Sequence, residues 1–149
     1  MNVRRTRNDR DFWYCLLDPD VQHAVIDENG HETGEIVPHY EEDVAMSANI
    51  SPASGQAQAE QFGSLENYDR VIITRDMDCP IDEHTVLFID KEPEYTEVRT
   101  HEIVEGQALY ADDEIEEVVY RLPKNDYIVR RVAKSLNHIA IAVQKVTVS

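Results

Sequence analysis

The residues with the clearest chemical potential are two aspartates that follow an apolar, β-branched run. The run Val71–Thr74 predicts a strand, and Asp76 and Asp78 come soon after it. An Asp-x-Asp pair at a strand end suits phosphotransferases, in which one carboxylate attacks, the other transfers a proton and both hold a cation. Against this, Arg75 intervenes, no strand–helix–strand units surround the pair, and no lysine follows in a helix. A metal-dependent phosphotransferase is therefore only the third of three hypotheses.

The loop after this strand also holds four acids that could bind calcium. They are Asp76, Asp78, Asp82 and Glu83. A calcium loop places ligands at its first, third, fifth and twelfth positions and glycine at its sixth. Counted from Asp76, the fifth position is Pro80 and the sixth is Ile81, so the pattern fails. We expect Asp82 and Glu83 instead to cap a turn after Pro80 by accepting backbone N–H bonds.

Histidine and cysteine occur without the spacing of a metal or redox site. The six histidines are scattered, and a zinc site would need close pairs of His or Cys. Cys15 and Cys79 have no histidine or basic residue beside them, so buried, inert thiols in a reduced cytosolic setting are expected. The five glycines are spread singly and form no phosphate-binding loop. We therefore predict no catalytic, cofactor-binding or metal-binding residue and no enzyme activity.

The charge of the chain is large and unevenly distributed. The chain has 149 residues, with 14 Lys and Arg against 30 Asp and Glu, which gives a formal net charge of −16. No Lys or Arg lies between Asp11 and Asp69, where thirteen acids occur. The basic residues at the two ends are Arg4, Arg5, Arg7, Arg10, Arg130, Arg131, Lys134 and Lys145. Such a chain is not expected to grip duplex nucleic acid, because phosphate contacts need Lys and Arg.

Two interpretations of this polarity remain open. The basic ends and the acidic middle either pair within one fold or face water, or they join copies of the chain head to tail. The length suits one domain with one core, and 42% hydrophobic residues are enough to build it. No stretch approaches the roughly 20 apolar residues that cross a bilayer, and no apolar run follows the basic start as in a secretory signal. No membrane partner is predicted.

Short strands separated by turns account for most of the predicted structure. Phe12–Leu17 predicts a strand buried on both faces, which Asp18-Pro19-Asp20 would end. Val44–Ile50 alternates with period two and predicts a strand with one face in the core. About seven such strands predict a mainly β fold, a small β-barrel or sandwich.

Two hairpins are visible from their turn residues. The pair Asn29-Gly30 lies between strands predicted over 21–26 and 33–37, and it is favoured in tight hairpins. The clearest hairpin joins 127–133 to 138–143 through Ser135-Leu136-Asn137, with Ile139, Ile141 and Val143 facing the core.

We divide the chain into a basic N-terminal arm over 1–10 and a single β-barrel domain over 11–149. Within that domain, residues 92–126 hold eleven acids and are interpreted as a solvated excursion from the core. The excursion is expected to be a long acidic loop or a short helix insertion, because Ile115, Val118 and Val119 could form one turn of amphipathic helix.

Several segments resemble the head–tail connector, or head-closure (stopper), proteins of long-tailed, siphovirus-like bacteriophages of Gram-positive hosts. Together they cover 46 of the 149 residues, about a third of the chain, in the order expected of that family, and no single one is a catalytic motif. The segments are Asn49–Gly55, Glu60–Gly63, Asn67–Thr85, Leu87–Asp90 and Asp126–Asn137.

The resemblance implies a structural β-barrel protein that assembles as a closed ring of twelve or six copies in the virion neck. Such a ring joins the portal and its adaptor to the tail-terminator or tail proteins, and genomic DNA passes through it without specific binding. The protein would be made in the bacterial host cytoplasm and need no cofactor. Candidate contacts between subunits are Arg4, Arg5, Arg7, Arg130 and Arg131. Candidate channel-facing or partner-facing acids are Asp112, Asp113, Glu114, Glu116 and Glu117.

A second hypothesis comes from another class of protein. The chain could be an acidic interaction module that mimics DNA and blocks a basic host protein, because the same excess of carboxylates imitates a row of phosphates.

Overall fold

The computed structural model describes residues 9–52, 68–104 and 116–146, and within these ranges every regular element is a strand. The mainly β fold class is confirmed. The ten strands are β1 Asp9–Cys15, β2 Leu17–Ile26, β3 Glu32–Tyr40, β4 Val44–Pro52, β5 Arg70–Thr74, β6 Val86–Phe88, β7 Tyr95–Val104, β8 Glu117–Pro123, β9 Tyr127–Lys134 and β10 Ile139–Lys145.

Six of the strands close into an antiparallel barrel in the order β1-β4-β5-β10-β9-β6. The barrel closes because β1 also pairs with β6, with Trp13 opposite Phe88. Its interior is apolar, and Phe12, Ile72 and Leu87 are fully buried there. The barrel predicted from the sequence is therefore present, and closure leaves its six strands without a free edge.

The other four strands form a separate sheet in the order β3-β2-β7-β8. It consists of two hairpins. The first is β2–β3, which lies in the chain between β1 and β4, and the second is β7–β8, which lies between β6 and β9. The two hairpins join because β2 pairs with β7. The described residues thus divide into two compact units. The barrel unit takes them from Met1–Leu16, Glu42–Pro93 and Asn125–Ser149, and the sheet unit from Leu17–Glu41 and Glu94–Lys124.

The excursion predicted over 92–126 differs from expectation in its described part. It contains β7 and β8, which pair along their lengths from Tyr95–Pro123 to His101–Glu117, so neither a loop nor a turn of helix is present there. Val118 and Tyr120 alternate with the exposed Val119 and Arg121, a period-two pattern that the neighbouring acids obscure. Residues 105–115 lie outside the described part of the chain.

The start of the sheet unit also corrects the prediction at Asp18-Pro19-Asp20. These residues lie within β2 instead of ending a strand. The register with β3 shifts between Asp18 and Gln22, so this segment is accommodated as an irregularity in the strand pair.

Both predicted hairpin turns are confirmed. At the first, Asp27 Oδ1 accepts the N–H groups of Asn29 at 2.8 Å and His31 at 3.0 Å, and Gly30 has a φ of 80°, which glycine adopts without strain. At the second, Ser135 N–H donates to the His138 carbonyl at 2.9 Å.

Strand β10 is buried on both of its faces. Ile139, Ile141 and Val143 pack in the main core cluster, as the sequence predicts, while Ala140 and Ala142 pack with Val71 in a second cluster. β10 pairs with β5 on one side and β9 on the other, so it is a central strand of the barrel wall.

Candidate functional site

The loop with the Asp-x-Asp pair is organised by hydrogen bonds to its own backbone. Asp76 Oδ1 accepts the Asp78 N–H at 3.0 Å, and both side chains are exposed. Asp82 Oδ1 accepts the His84 N–H at 2.8 Å and the Thr85 hydroxyl at 3.2 Å, which confirms the predicted cap for Asp82. Within the described residues, no group of three or more His, Cys, Asp or Glu could hold a metal ion.

Both cysteines are buried, as predicted, and neither forms a disulfide with a described residue. Burial raises the pKa of the Cys79 thiol, and the nearby Asp76 charge acts in the same direction. A thiol with a raised pKa stays protonated near neutral pH, so Cys79 lacks the thiolate that a nucleophile needs.

One end of the barrel carries an ionic cluster around Asp90, which lies in the bend that follows β6. Arg70 Nη1 of β5 lies 2.9 Å from Asp90 Oδ1, and Arg10 Nη2 of β1 lies 3.4 Å from the same oxygen. The Tyr127 hydroxyl of β9 donates to Asp90 Oδ2 at 3.0 Å. Three separate strands are therefore joined through one carboxylate.

The electrostatics of this cluster follow from its partners. Burial acts to raise the pKa of Asp90, but the Tyr127 hydroxyl and the Arg70 guanidinium outweigh it, so that the pKa lies below its ordinary value. Burial and the hydrogen bond to Asp90 raise the pKa of Tyr127 to about 12. The cluster thus holds an ionised carboxylate and a neutral phenol over a wide pH range.

Two more aspartates bind strand ends at the same part of the barrel. Asp126 accepts the N–H of Ile89 at 2.9 Å through Oδ1 and the N–H of Asp90 at 2.8 Å through Oδ2. Asp69 Oδ2 accepts the Lys145 N–H at 2.7 Å. Charge-assisted bonds of this kind are stronger than bonds between neutral groups, so these acids stabilise the barrel.

Arg130 and Arg131, two candidate subunit contacts, lie at a bulge in β9. The register with β10 passes from Val129–Val143 to Arg131–Ala142, which leaves Arg130 as an extra residue. This bulge lets Val129 and Val132 both pack on the core although they are three residues apart. Both arginines are exposed between them. Their role in subunit contacts stays a prediction.

The turn of the β9–β10 hairpin presents an apolar side chain to solvent. Leu136 is 95% exposed. Together with Ile73, Arg75, Asn137 and His138 it lines an open hollow of about 720 Å³. A leucine at the tip of a turn has no role in the core, so this end of the barrel is a candidate contact surface.

The negative charge is concentrated in the sheet unit. Residues 17–41 and 94–124 hold sixteen of the thirty acids and only three of the fourteen Lys and Arg. The rest of the chain, with fourteen acids and eleven Lys and Arg, is nearly balanced. The acidic residues are therefore concentrated in one of the two units. Because that unit is made of two separate segments of the chain, the sequence alone does not reveal this.

The structure describes only some of the acids and arginines that were predicted as contact or channel residues. Glu116 and Glu117 are exposed, and Glu117 pairs with Arg99, whose Nη2 donates to Oε2 at 3.0 Å. Asp112, Asp113 and Glu114 lie outside the described residues, as do Arg4, Arg5 and Arg7. The position of any of these side chains relative to a channel or a partner stays a prediction.

A hydrogen-bonded histidine pair in the sheet unit, of which His23 is buried, was not predicted from the sequence. His23 of β2 is 1% exposed, and its Nε2 lies 2.8 Å from Nδ1 of His39 on β3. Its Nδ1 lies 3.1 Å from Thr100 Oγ1 on β7, and its ring stacks on Tyr120 of β8 with 3.9 Å between centroids. The two histidines are sixteen positions apart in the chain, so a search for closely spaced ligands does not find the pair.

Comparisons with known proteins give no match. No family model matches the chain, and no curated protein or solved structure is similar enough to count as a relative. In the part of the chain that the structure describes, there is also no helix long and apolar enough to cross a membrane.

Proposed function

We propose that this protein is a structural component of a phage neck, a ring-forming head-closure protein. In this role it joins the portal and its adaptor to the tail and lines the DNA channel, without catalysing a reaction. The proposal starts from the resemblance between segments of this sequence and head-closure proteins.

The observation that carries the proposal is where those residues lie. Every described residue of the resembling segments belongs to the barrel unit, and none belongs to the sheet unit. Among them, Asp69, Asp90 and Asp126 bind the ends of neighbouring strands, and Tyr127 donates to Asp90. The resemblance is therefore supported by residues that hold the barrel together, which favours a shared fold over chance similarity in surface loops.

The unequal charge of the two units suits a head-to-tail ring. Ring closure needs two different surfaces on each copy that complement each other. The acidic sheet unit supplies one candidate surface. The exposed Arg130 and Arg131 on the barrel wall supply the other, within strand β9, which contains three Lys and Arg and no acid.

The passage of DNA is also consistent with the charge. A channel that releases a duplex must not hold its phosphates, and a net charge of −16 disfavours phosphate contacts. The acids at 112–117 are the candidates for repelling the duplex.

The experiment that tests the proposal is inactivation of the gene in its phage. We expect DNA-filled heads and free tails to accumulate unjoined, and purified wild-type protein added to the lysate to restore infective particles. Tailed, infective particles formed in the absence of the protein would overturn the proposal.

Two charge variants test the ring surface in the same lysate. Arg130→Glu should fail to restore infectivity because it reverses an exposed charge at the bulge. Lys145→Glu makes the same charge change at the far end of the hairpin and should restore it.

The DNA-mimic hypothesis remains as a second candidate because one unit carries sixteen acids against three Lys and Arg. Pull-down from host lysate tests it. A stable one-to-one complex with a nuclease or polymerase, lost at high salt, would favour mimicry over assembly.

A further inference from the structure

We infer that the sheet unit contains a proton-operated latch. The hydrogen-bonded pair of His23 and His39 takes up one proton with the sheet intact, and uptake of a second proton opens the sheet. This inference goes beyond the proposed function and does not depend on it.

The positions of the protons follow from the neighbouring bonds. Thr100 Oγ1 donates its only hydrogen to the Val118 carbonyl at 3.0 Å, so toward His23 it can only accept. His23 therefore carries its hydrogen on Nδ1, and its Nε2 has a free lone pair. That lone pair accepts the Nδ1–H of His39 across 2.8 Å.

The two protonation steps differ in their effect on the hydrogen bonds. A proton added to Nε2 of His39 leaves the whole chain of bonds unchanged. A proton added to Nε2 of His23 places two N–H donors against each other at 2.8 Å, and one of the bonds must break. The pair therefore titrates as a unit with two separate steps.

The surroundings of His23 oppose the second step. Burial lowers the pKa of His23, and the charge on His39 lowers it further. His23 and Tyr120 stack with an interplanar angle of 13°, and the Tyr120 hydroxyl accepts the Tyr40 N–H at 2.7 Å. Since the cluster uses side chains from all four strands of the sheet, a break at His23 loosens the whole unit.

Charged and titratable groups surround the histidine pair on the strands packed against it. Glu102 of β7 lies opposite His23 in the register, and its charge acts to raise the pKa of His23, against the larger effect of burial. Asp18 of β2 lies opposite His39. β3 contributes Glu35, two residues before Val37, which is the register partner of His23, and β8 contributes the neutral Tyr120.

Side-chain NMR tests the proton positions without any mutation. Long-range ¹H–¹⁵N spectra of the full-length protein at pH 8 should show His23 and His39 with the hydrogen on Nδ1, the less common form in water. A hydrogen on Nε2 of His23 would overturn the inference.

Hydrogen–deuterium exchange, corrected for intrinsic rates, tests the opening. On lowering the pH from 7.5 to 5, amides of β2, β3, β7 and β8 should lose protection at least about tenfold, while those of β5 and β10 keep theirs. Protection of the sheet that stays constant over this range would contradict the latch.

Two glutamine variants separate the latch from a general effect of acid. His39→Gln should stay closed at pH 5, because the amide can donate to a neutral His23 or rotate to accept from a protonated one. His101→Gln removes a partly buried histidine of the same sheet, whose Nδ1 lies 3.5 Å from Glu32 Oε1, and should still open. Equal opening of the His39→Gln variant and the wild type would overturn the inference.

Discussion

The barrel and the four-stranded sheet are built from the same kind of strand but stabilised in different ways. The barrel is closed, has an apolar interior and uses Asp90 and Asp126 to join its strand ends. The sheet has two edge strands and buries polar side chains, His23 and Thr100, among its four strands. The sheet also holds most of the net negative charge.

This difference indicates a division of labour. An apolar, closed barrel tolerates changes of salt, and of pH around neutrality, because its stability depends mainly on buried surface. A sheet that contains a hydrogen-bonded histidine pair and is rich in carboxylates is expected to respond to both pH and salt. We therefore expect the barrel to provide a constant frame and the sheet to provide the responsive surface.

The largest expected effect is in the barrel core. Phe12→Ala removes a fully buried ring from β1 and should lower the free energy of unfolding by about 3 to 5 kcal/mol. Val119→Ala in the sheet, at a side chain that is 55% exposed, should change it by less than about 0.5 kcal/mol. Urea unfolding followed by far-ultraviolet circular dichroism, which reports the strands of both units, measures the change in each variant. Equal effects of the two variants would remove the contrast.

A smaller effect is expected at the strand ends of the barrel. Asp126→Asn replaces one of two carboxylate oxygens that accept backbone N–H groups with a donor, which should cost about 1 to 3 kcal/mol. Asp78→Asn, at an exposed side chain, is the matched control and should leave the urea midpoint unchanged. An unchanged urea midpoint for Asp126→Asn would mean that these hydrogen bonds do not stabilise the barrel.

High pH should weaken the barrel through Tyr127. Its pKa is about 12 in the folded protein against 10.0 in the unfolded chain, so the unfolded chain loses its proton first. The contribution of Tyr127 to the free energy of unfolding is complete below pH 10. It falls as the pH rises toward 12, by about 2 to 3 kcal/mol in all. Tyr127→Phe should reduce this decline in urea titrations between pH 9 and 12, and leave the smaller part that Tyr14, whose pKa burial also raises, contributes. An identical decline in that variant would assign it to other groups.

The pH dependence of the sheet has the opposite direction. Because the pKa of His23 is lowered in the folded protein, its contribution is complete above the ordinary value of 6.5 and declines as the pH falls below it. One unit is therefore sensitive to base and the other to acid.

The smallest effect is expected at the surface of the sheet. Arg99→Gln removes the exposed pair with Glu117 and should shift the unfolding midpoint only at low salt, because such pairs are screened. In 0.5 M sodium chloride the variant and wild type should unfold together. A shift that persists in high salt would show that the surface charges of the sheet are structural.

Local chemistry made several elements of the fold predictable. Asn29-Gly30 and Ser135–Asn137 specify hairpins through residues that are close in sequence, and the alternation of Ile139, Ile141 and Val143 indicates the core face. The closing of the barrel by Trp13 and Phe88 depends on residues far apart in the chain, so no local pattern reveals it.

The candidate sites were less predictable for the same reason. The acids around Val118 and Tyr120 hid the strand pattern of β8, so the sheet unit was not recognised. His23, His39 and Thr100 meet only through the pairing of β2 with β3 and β7. The ionic cluster likewise draws Arg10, Arg70, Asp90 and Tyr127 from four separate segments.

The proposal that this protein is part of a phage neck is tested most directly by locating it in the virion. Gold-labelled antibodies raised against the purified chain would be applied to purified virions, with preimmune serum as control, and viewed by electron microscopy. The account predicts label at the head–tail junction of particles opened at the neck. Absence of the chain from purified virions, or label confined to the capsid shell or the tail tip, would contradict it.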